Sequence, residues 1–388
     1  MSSALASCSL SHVVNSMGAN QNDDAASSFA DLAHHQEGRF VSTPPVGKVS
    51  ARDYTAMIAR FVFGKKVDPF PQSLLPFINL EASAFSQTLE RGYKVTWLGH
   101  STTMIEIDGL RILTDPVFGE RASPFTNMGP KRFQKAPINL ADLPPLDAVV
   151  ISHDHYDHLD MESIKLLHPQ VKQFITPLGV GVHLIKWGVP SEKIIEKDWW
   201  QEVTVENKVR LVATPARHFS GRGVLDKNKT LWASWVIIGS EHSLFFSGDT
   251  GMHDGFTEIG NRFGPFDLAM IENGAYDKDW PDVHMQPEET IKAAIMLKAK
   301  ILMPIHWGTF ELANHPWYEP AYRIHALAEQ HNIPLAQPRQ GEAVGLNIPL
   351  PLSQWWKVQP VQLTEKSDAS KRSFTPSNAG PSSLSTEG

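Results

Sequence analysis

The stretch Ser152-His153-Asp154-His155-Tyr156-Asp157-His158 decides how the chain is read. It directly follows Asp147–Ile151, an apolar run that predicts a buried strand. Four candidate ligands, His153, His155, Asp157 and His158, therefore stand within six residues where a strand ends and the chain turns. His153 and His155 alternate, so both can face one metal ion from an extended segment. Asp157 and His158 fall in the turn that follows and can face a second ion. Imidazole nitrogen and carboxylate oxygen suit zinc and other borderline divalent cations. A lone His-x-His would be weak evidence. His-x-His-x-Asp-His behind an apolar strand is far more specific.

Three later residues fit the same site, each behind another apolar run. His218 follows Val209–Ala213 within Thr214-Pro215-Ala216-Arg217-His218. Asp249 follows Leu244–Phe246 within Ser247-Gly248-Asp249-Thr250-Gly251, where the glycines permit close backbone approach and one carboxylate can bridge two ions. His306 follows Ile301–Ile305 within Pro304-Ile305-His306-Trp307-Gly308. Strand ends are where α/β folds build ligand sites.

Outward from these motifs the chain reads as alternating strands and helices. Val95–Leu98 and Met104–Ile107 are strands, and Asp108-Gly109 before Leu110 is a hairpin signal. Further strands are predicted at Ala148–Ser152, Ser234–Ile238, Ser243–Ser247 and Leu268–Ile271, with helices at Met161–Leu167, Pro287–Leu297 and Pro320–Gln330. The alternation predicts an α/β sandwich. Residues 1–50 are rich in Ser, Ala, Asn, Asp and Gln and read as disordered. Residues 51–91 read as an amphipathic helix (Tyr54, Met57, Ile58, Phe61, Val62) and a proline-bearing connector that wraps the domain. Residues 92–350 form the catalytic domain, and 360–388 a disordered tail.

Composition narrows the function. Hydrophobic residues are 41% and charged residues 20%, as in a globular protein, and the net charge of −7 gives no basic field for nucleic acid. Cys8 is the one cysteine, so no internal disulfide forms and thiolate ligation in the core is excluded. Leu5-Ala6-Ser7-Cys8 resembles a lipoprotein cleavage box but has no room for an apolar segment ahead of it. A cytoplasmic protein is expected, with peripheral membrane contact compatible with the sequence; oligomeric state is not legible.

The ligand series His-x-His-x-Asp-His, His, Asp, His resembles that of the metallo-β-lactamase fold. The resemblance extends to the branch of phospholipases D that hydrolyse N-acylphosphatidylethanolamine. It is carried by Trp97-Leu98-Gly99-His100-Ser101, Leu113-Thr114-Asp115-Pro116, Met128-Gly129-Pro130-Lys131-Arg132-Phe133, Asp198-Trp199-Trp200, Gly260-Asn261-Arg262-Phe263-Gly264-Pro265-Phe266-Asp267 and His306-Trp307-Gly308-Thr309-Phe310. It implies a four-layer αββα sandwich with two zinc ions, Mn2+ or Fe2+ being alternatives. One ion would sit on His153, His155 and His218, the other on Asp157, His158 and His306, with Asp249 between them. Two ions flanking one water lower its pKa and supply a hydroxide near neutral pH. Asp157, Asp249 and His284 are assigned to the catalytic step, His284 as the group that orients substrate or protonates a leaving group. The implied substrate is a lipid phosphodiester. A lactone, small ester or phosphoester is the alternative within the fold, and a redox di-iron protein the alternative of another class.

The chain departs from the branch at one place near the site. Ile271-Glu272-Asn273-Gly274-Ala275-Tyr276 stands where the branch carries an Ile-Pro-Ile-Gly-Ala-Tyr stretch. Glu272 and Asn273 are expected near the mouth of the site, where a carboxylate would repel a phosphate. Lys131 and Arg132 can hold a phosphate, although a basic pair on a loop is more often only solvated. His100 reads as a supporting or core histidine and Asp115 as a residue that fixes a turn or orients a ligand. The eleven tryptophans, Trp199, Trp200, Trp280 and Trp307 among them, suit an aromatic-lined pocket or plain core packing.

Overall fold

The computed structural model describes residues 11–19, 29–47, 50–223 and 225–357. The tail expected at 360–388, Cys8 and the side chains of Tyr54, Ile58, Phe61 and Val62 lie outside the described residues. A two-stranded hairpin, β1 (His35–Gln36) and β2 (Arg39–Phe40), precedes helix α1 (Ala51–Phe63). Part of the segment expected to be disordered is thus packed: Phe29 and Phe40 are buried in the main core, and His34 stacks on Trp199 at 4.5 Å. Composition hid this, because two aromatic anchors suffice to fix a stretch of otherwise polar residues.

Two mixed sheets form the body. The first contains β3 (Tyr93–Gly99), β4 (Thr102–Ile107), β5 (Leu110–Thr114), β6 (Leu146–Val150), β7 (Val171–Pro177) and β8 (Ile194–Lys197) in that order. The second contains β9 (Glu202–Val205), β10 (Val209–Thr214), β11 (Ser234–Ile238), β12 (Ser243–Phe246), β13 (Leu268–Glu272) and β14 (Leu302–Ile305). A last strand, β15 (Ala343–Gly345), returns to the first sheet beside β3. The β4–β5 turn has Asp108 and Gly109 both at positive φ (49° and 83°), which matches the right-handed twist of a tight hairpin.

Period-two alternation sorts the side chains into layers. Ala148 and Val150 of β6 join Leu211 and Ala213 of β10 in the core between the sheets. Val149 and Ile151 face the other way, onto α2 (Met161–Leu167) and α3 (Gly181–Lys186), with Ile164, Leu167 and Leu184. Val212 meets Phe256 of α4 (Gly255–Phe263), Ile291 of α5 (Pro287–Met296) and Ile324 of α6 (Glu319–His331). Both sheets therefore bury both faces, and the result is a single α/β domain of αββα layering.

Three segments outside the sheets brace the loops at one end of this sandwich. Near the N-terminus, Trp187 Nε1 donates to the Asn15 carbonyl at 2.8 Å and Arg222 donates to the Ser16 carbonyl at 2.8 and 3.1 Å. After α1 the connector passes the site: Lys66 pairs with Glu311 at 2.6 Å, and the Trp317 amide donates to the Asp68 carbonyl at 3.0 Å. At the far end Trp355 stacks on Trp307 at 5.0 Å, and Trp307 in turn on Trp97 at 5.6 Å.

Candidate metal centre

Strand ends from both sheets converge on one cluster. β6 delivers His153, His155, Asp157 and His158, while β10, β12 and β14 deliver His218, Asp249 and His306. The crossing of these loops needs Gly248 (φ 55°), since a Cβ there would lie 2.4 Å from the Ser152 Cβ. All seven residues expected as ligands are brought together. His153 Nε2 lies 2.8 Å from His155 Nδ1, and His218 Nε2 lies 3.3 Å from the same atom. On the other side His306 Nε2 stands 3.2 Å and His158 Nε2 3.5 Å from Asp157 Oδ2. Asp249 Oδ2 sits between the groups, 3.1 Å from both His158 and His306, 3.8 Å from His218 and 3.9 Å from His153.

The donor set fits divalent cations. Asp249 Oδ1 and His158 Nε2 are buried with no hydrogen-bond partner among the described residues, a condition that a ligated ion would relieve. Burial, reinforced by neighbouring imidazoles, holds His153 and His218 well below the usual histidine pKa, and burial lowers His155, so all three are neutral and present lone pairs. The second group behaves oppositely. Burial would depress His158 and His306, but Asp249 and Asp157 overcome it, lifting His158 well above its ordinary value and His306 to about 9. Burial would likewise raise Asp157 and Asp249, yet His158 leads the effects that hold both well below the carboxylate range. Two carboxylates here demand positive charge, which protons supply until a cation replaces them.

Surrounding groups aim the ligands. Asp115, with φ 34° at the end of β5, accepts from His158 Nδ1 at 2.7 Å and from the Ser152 amide and hydroxyl at 2.7 and 2.6 Å. His218 Nδ1 donates to the Val283 carbonyl at 3.0 Å. Asp154, between the two leading histidines, turns away from the centre and accepts from the Gly221 amide and Thr230 hydroxyl, both at 2.8 Å. His306 adopts a left-handed φ of 65°, held by its amide bond to the His100 carbonyl at 3.1 Å.

His100 takes the supporting place that its position in the sequence suggests. Its Nε2 lies 3.0 Å from Asp157 Oδ2 and its ring 4.1 Å from that of His306. The signal was present, since His100 follows β3 as the ligands follow their strands. The expectation for Glu272 and Asn273 is corrected: both are fully buried and neither lines a mouth. Glu272 ends β13, a strand buried throughout, and its side chain turns beneath His284, with Oε2 3.2 Å from Nδ1. Burial and the Asp249 charge hold its carboxyl well above the usual range. Lys131 is an exposed partner of Glu120, and buried Arg132 bonds the Val117 and Gly119 carbonyls, so neither reaches the centre. Trp199 and Trp307 are core residues. A groove lined by Phe118, Ile138 and Leu166 contains none of the seven ligands. Among the cluster, His155, Asp157 and His284 retain solvent contact and mark the open side.

Comparison with known sequences bears on this centre. Residues 110–307 match the family described as the beta-lactamase superfamily domain. The chain is a metal-dependent hydrolase of that superfamily. An uncharacterised Mycobacterium tuberculosis relative is 43% identical over 84% of this chain and 87% of its own length. A Caenorhabditis elegans superfamily relative, named N-acyl-phosphatidylethanolamine-hydrolyzing phospholipase D 1, is 38% identical over 66% of this chain and 75% of its own. Among solved structures, the metallo hydrolase Igni18 of Ignicoccus hospitalis superposes with a TM-score of 0.53 at 21% identity, covering 66% of this chain and all of that one, a likeness of fold alone.

Proposed function

We propose that the chain is a dinuclear zinc phosphodiesterase that cleaves N-acylphosphatidylethanolamine, releasing an N-acylethanolamine and phosphatidic acid. His153, His155 and His218 would hold one ion, Asp157, His158 and His306 the other, with Asp249 shared. Two such cations supply a water of lowered pKa and a counter-charge for phosphoryl oxygens. The chain's own part is to hold the ligands through Asp115 and Val283, and to present His284 as the proton donor for the leaving oxygen.

The observation that carries the lipid reading is the connector beside the centre. Phe63, Val67, Phe70 and Leu74 are exposed along it, and Pro69 lines the same small cavity as His306, Phe310 and Leu312. Exposed apolar side chains on a segment that reaches the His306 side of the centre at Pro69 suit acyl chains, each buried methylene contributing ~0.8 kcal/mol. The name of the worm relative supports the same substrate. Glu272 no longer opposes it, being buried beneath His284 and not facing the mouth. Among the described residues no helix is long and apolar enough to cross a membrane.

The test is mass spectrometry of products from mixed micelles containing N-acylphosphatidylethanolamine, with a small lactone in parallel. Release of N-acylethanolamine and phosphatidic acid is expected. Lactone turnover without N-acylethanolamine would overturn the lipid reading and leave the hydrolase standing.

A further inference from the structure

Glu272 is fully buried, and a carboxyl is not placed in a protein interior without a partner. No lysine or arginine reaches it among the described residues. Its Oε1 accepts from the Met285 amide at 2.5 Å, and its Oε2 lies 3.2 Å from His284 Nδ1, the one side chain it contacts by hydrogen bond. Thr290 Oγ1 donates to the Glu272 backbone carbonyl at 3.0 Å, fixing the strand end from which the side chain departs. With Nδ1 engaged, His284 keeps Nε2 as the ring nitrogen without a protein partner among the described residues. The ring lies 5.2 Å from those of His218 and His306, and it is one of the few cluster members open to solvent.

We propose that Glu272 is a positioning residue: it grips His284 by Nδ1 and so directs Nε2 at the leaving-group oxygen. The inference rests on the phosphodiesterase reading above. In the step it serves, the water oxygen bonds to phosphorus and the bond from phosphorus to the ethanolamine oxygen breaks. The departing oxygen takes the Nε2 proton of the doubly protonated His284 ring, which is left neutral with its Nδ1–H on Glu272. The proton left over from the water returns to the ring through solvent. The grip matters only when the leaving group needs a proton, which separates it from a structural role.

The experiment uses full-length, zinc-loaded protein and two substrates. N-acylphosphatidylethanolamine loses a poor, alkoxide-type leaving group, whereas bis(4-nitrophenyl) phosphate loses one that departs unprotonated. His284→Ala should lower kcat on the lipid on the order of 100-fold and on the nitrophenyl ester by less than about threefold. Glu272→Ala should show the same contrast, with a loss of about 10- to 100-fold on the lipid, unchanged KM and two zinc ions retained. Adding Glu272→Ala to His284→Ala should lower the rate no further, since the two act as one unit. Glu272→Gln, whose amide oxygen can still accept from Nδ1–H, should recover most of the lost rate, and it provides the folded variant if alanine does not. Equal losses on both substrates, a further loss in the double variant, or no rescue by glutamine would overturn the assignment. Imidazole 15N spectra give a readout free of turnover: His284, identified by its absence in His284→Ala, should hold one fixed tautomer in the parent and lose it in Glu272→Ala. An unchanged His284 signal would also overturn it. If the parent releases no N-acylethanolamine, the lipid reading fails, and the spectra alone then judge the grip.

Discussion

The two halves of the metal centre are built on different principles. His153, His155 and His218 form an all-imidazole pocket, neutral by burial, with His218 braced by a backbone carbonyl. Asp157, His158 and His306 form a charged pocket, braced by the buried carboxyl of Asp115 and crowded by His100. The first is ready for a cation as folded. The second must give up protons before it can take one. Asp249 stands between the two, nearer the charged half, and it is the natural place to break the distinction.

Asp249→Asn removes the charge both halves share and should reduce turnover on the order of a thousandfold, with metal content falling below two ions per chain. Elemental analysis alongside kinetics checks this. Full activity with two ions bound would mean that Asp249 does not join the halves. Asp115→Ala reaches the all-imidazole half only by way of Ser152, whose hydroxyl lies 2.9 Å from His153 Nδ1, and acts directly on the charged half through His158. Metal affinity there should weaken by about 10- to 100-fold while the all-imidazole pocket keeps its ion, read by competition with a chelator. If both ions weaken together, the halves are not separable.

The last contrast is in pH. In metal-free protein His306 is raised to about 9, so its contribution to stability is complete below the ordinary histidine pKa of about 6.5 and is lost as pH rises through about 9. Binding of the second ion must displace that proton, so its affinity should rise by up to about tenfold per pH unit across the same window. The first ion should show no such trend. Calorimetric melting of metal-free and zinc-loaded protein between these pH values tests the contrast, and parallel profiles for both ions would remove it.

Sequence revealed the ligands well because each follows an apolar strand, a pattern that needs no knowledge of the partner. It revealed the sandwich for the same reason: β6, β10 and β13 are short apolar runs that mean buried strands. What it could not supply was direction. Glu272 reads as a polar residue after a strand, hence near a mouth, yet β13 is covered on both faces and the side chain turns inward. His100 reads as a supporting histidine from its place after a strand, but which ligand it supports, Asp157, is distant in sequence and not legible. Helix α4 was missed because Gly255 and Gly260 weaken the periodic signal, Gly260 being required where the Met296 carbonyl approaches. Strand β7 begins Val171-Lys172-Gln173 directly behind a helix, and its apolar half is too short to register alone.

The wall of tryptophans behind His306 sets a clock on biosynthesis. His306 is the last ligand to be synthesised, and the turn that carries it leans on Trp307, which leans on Trp355. A nascent chain that has just exposed all seven ligands still lacks that support, and β15 has not yet joined the first sheet. Metal capture in the charged half therefore waits for Trp355, and a fragment ending before it would own every ligand without the means to seat the last one.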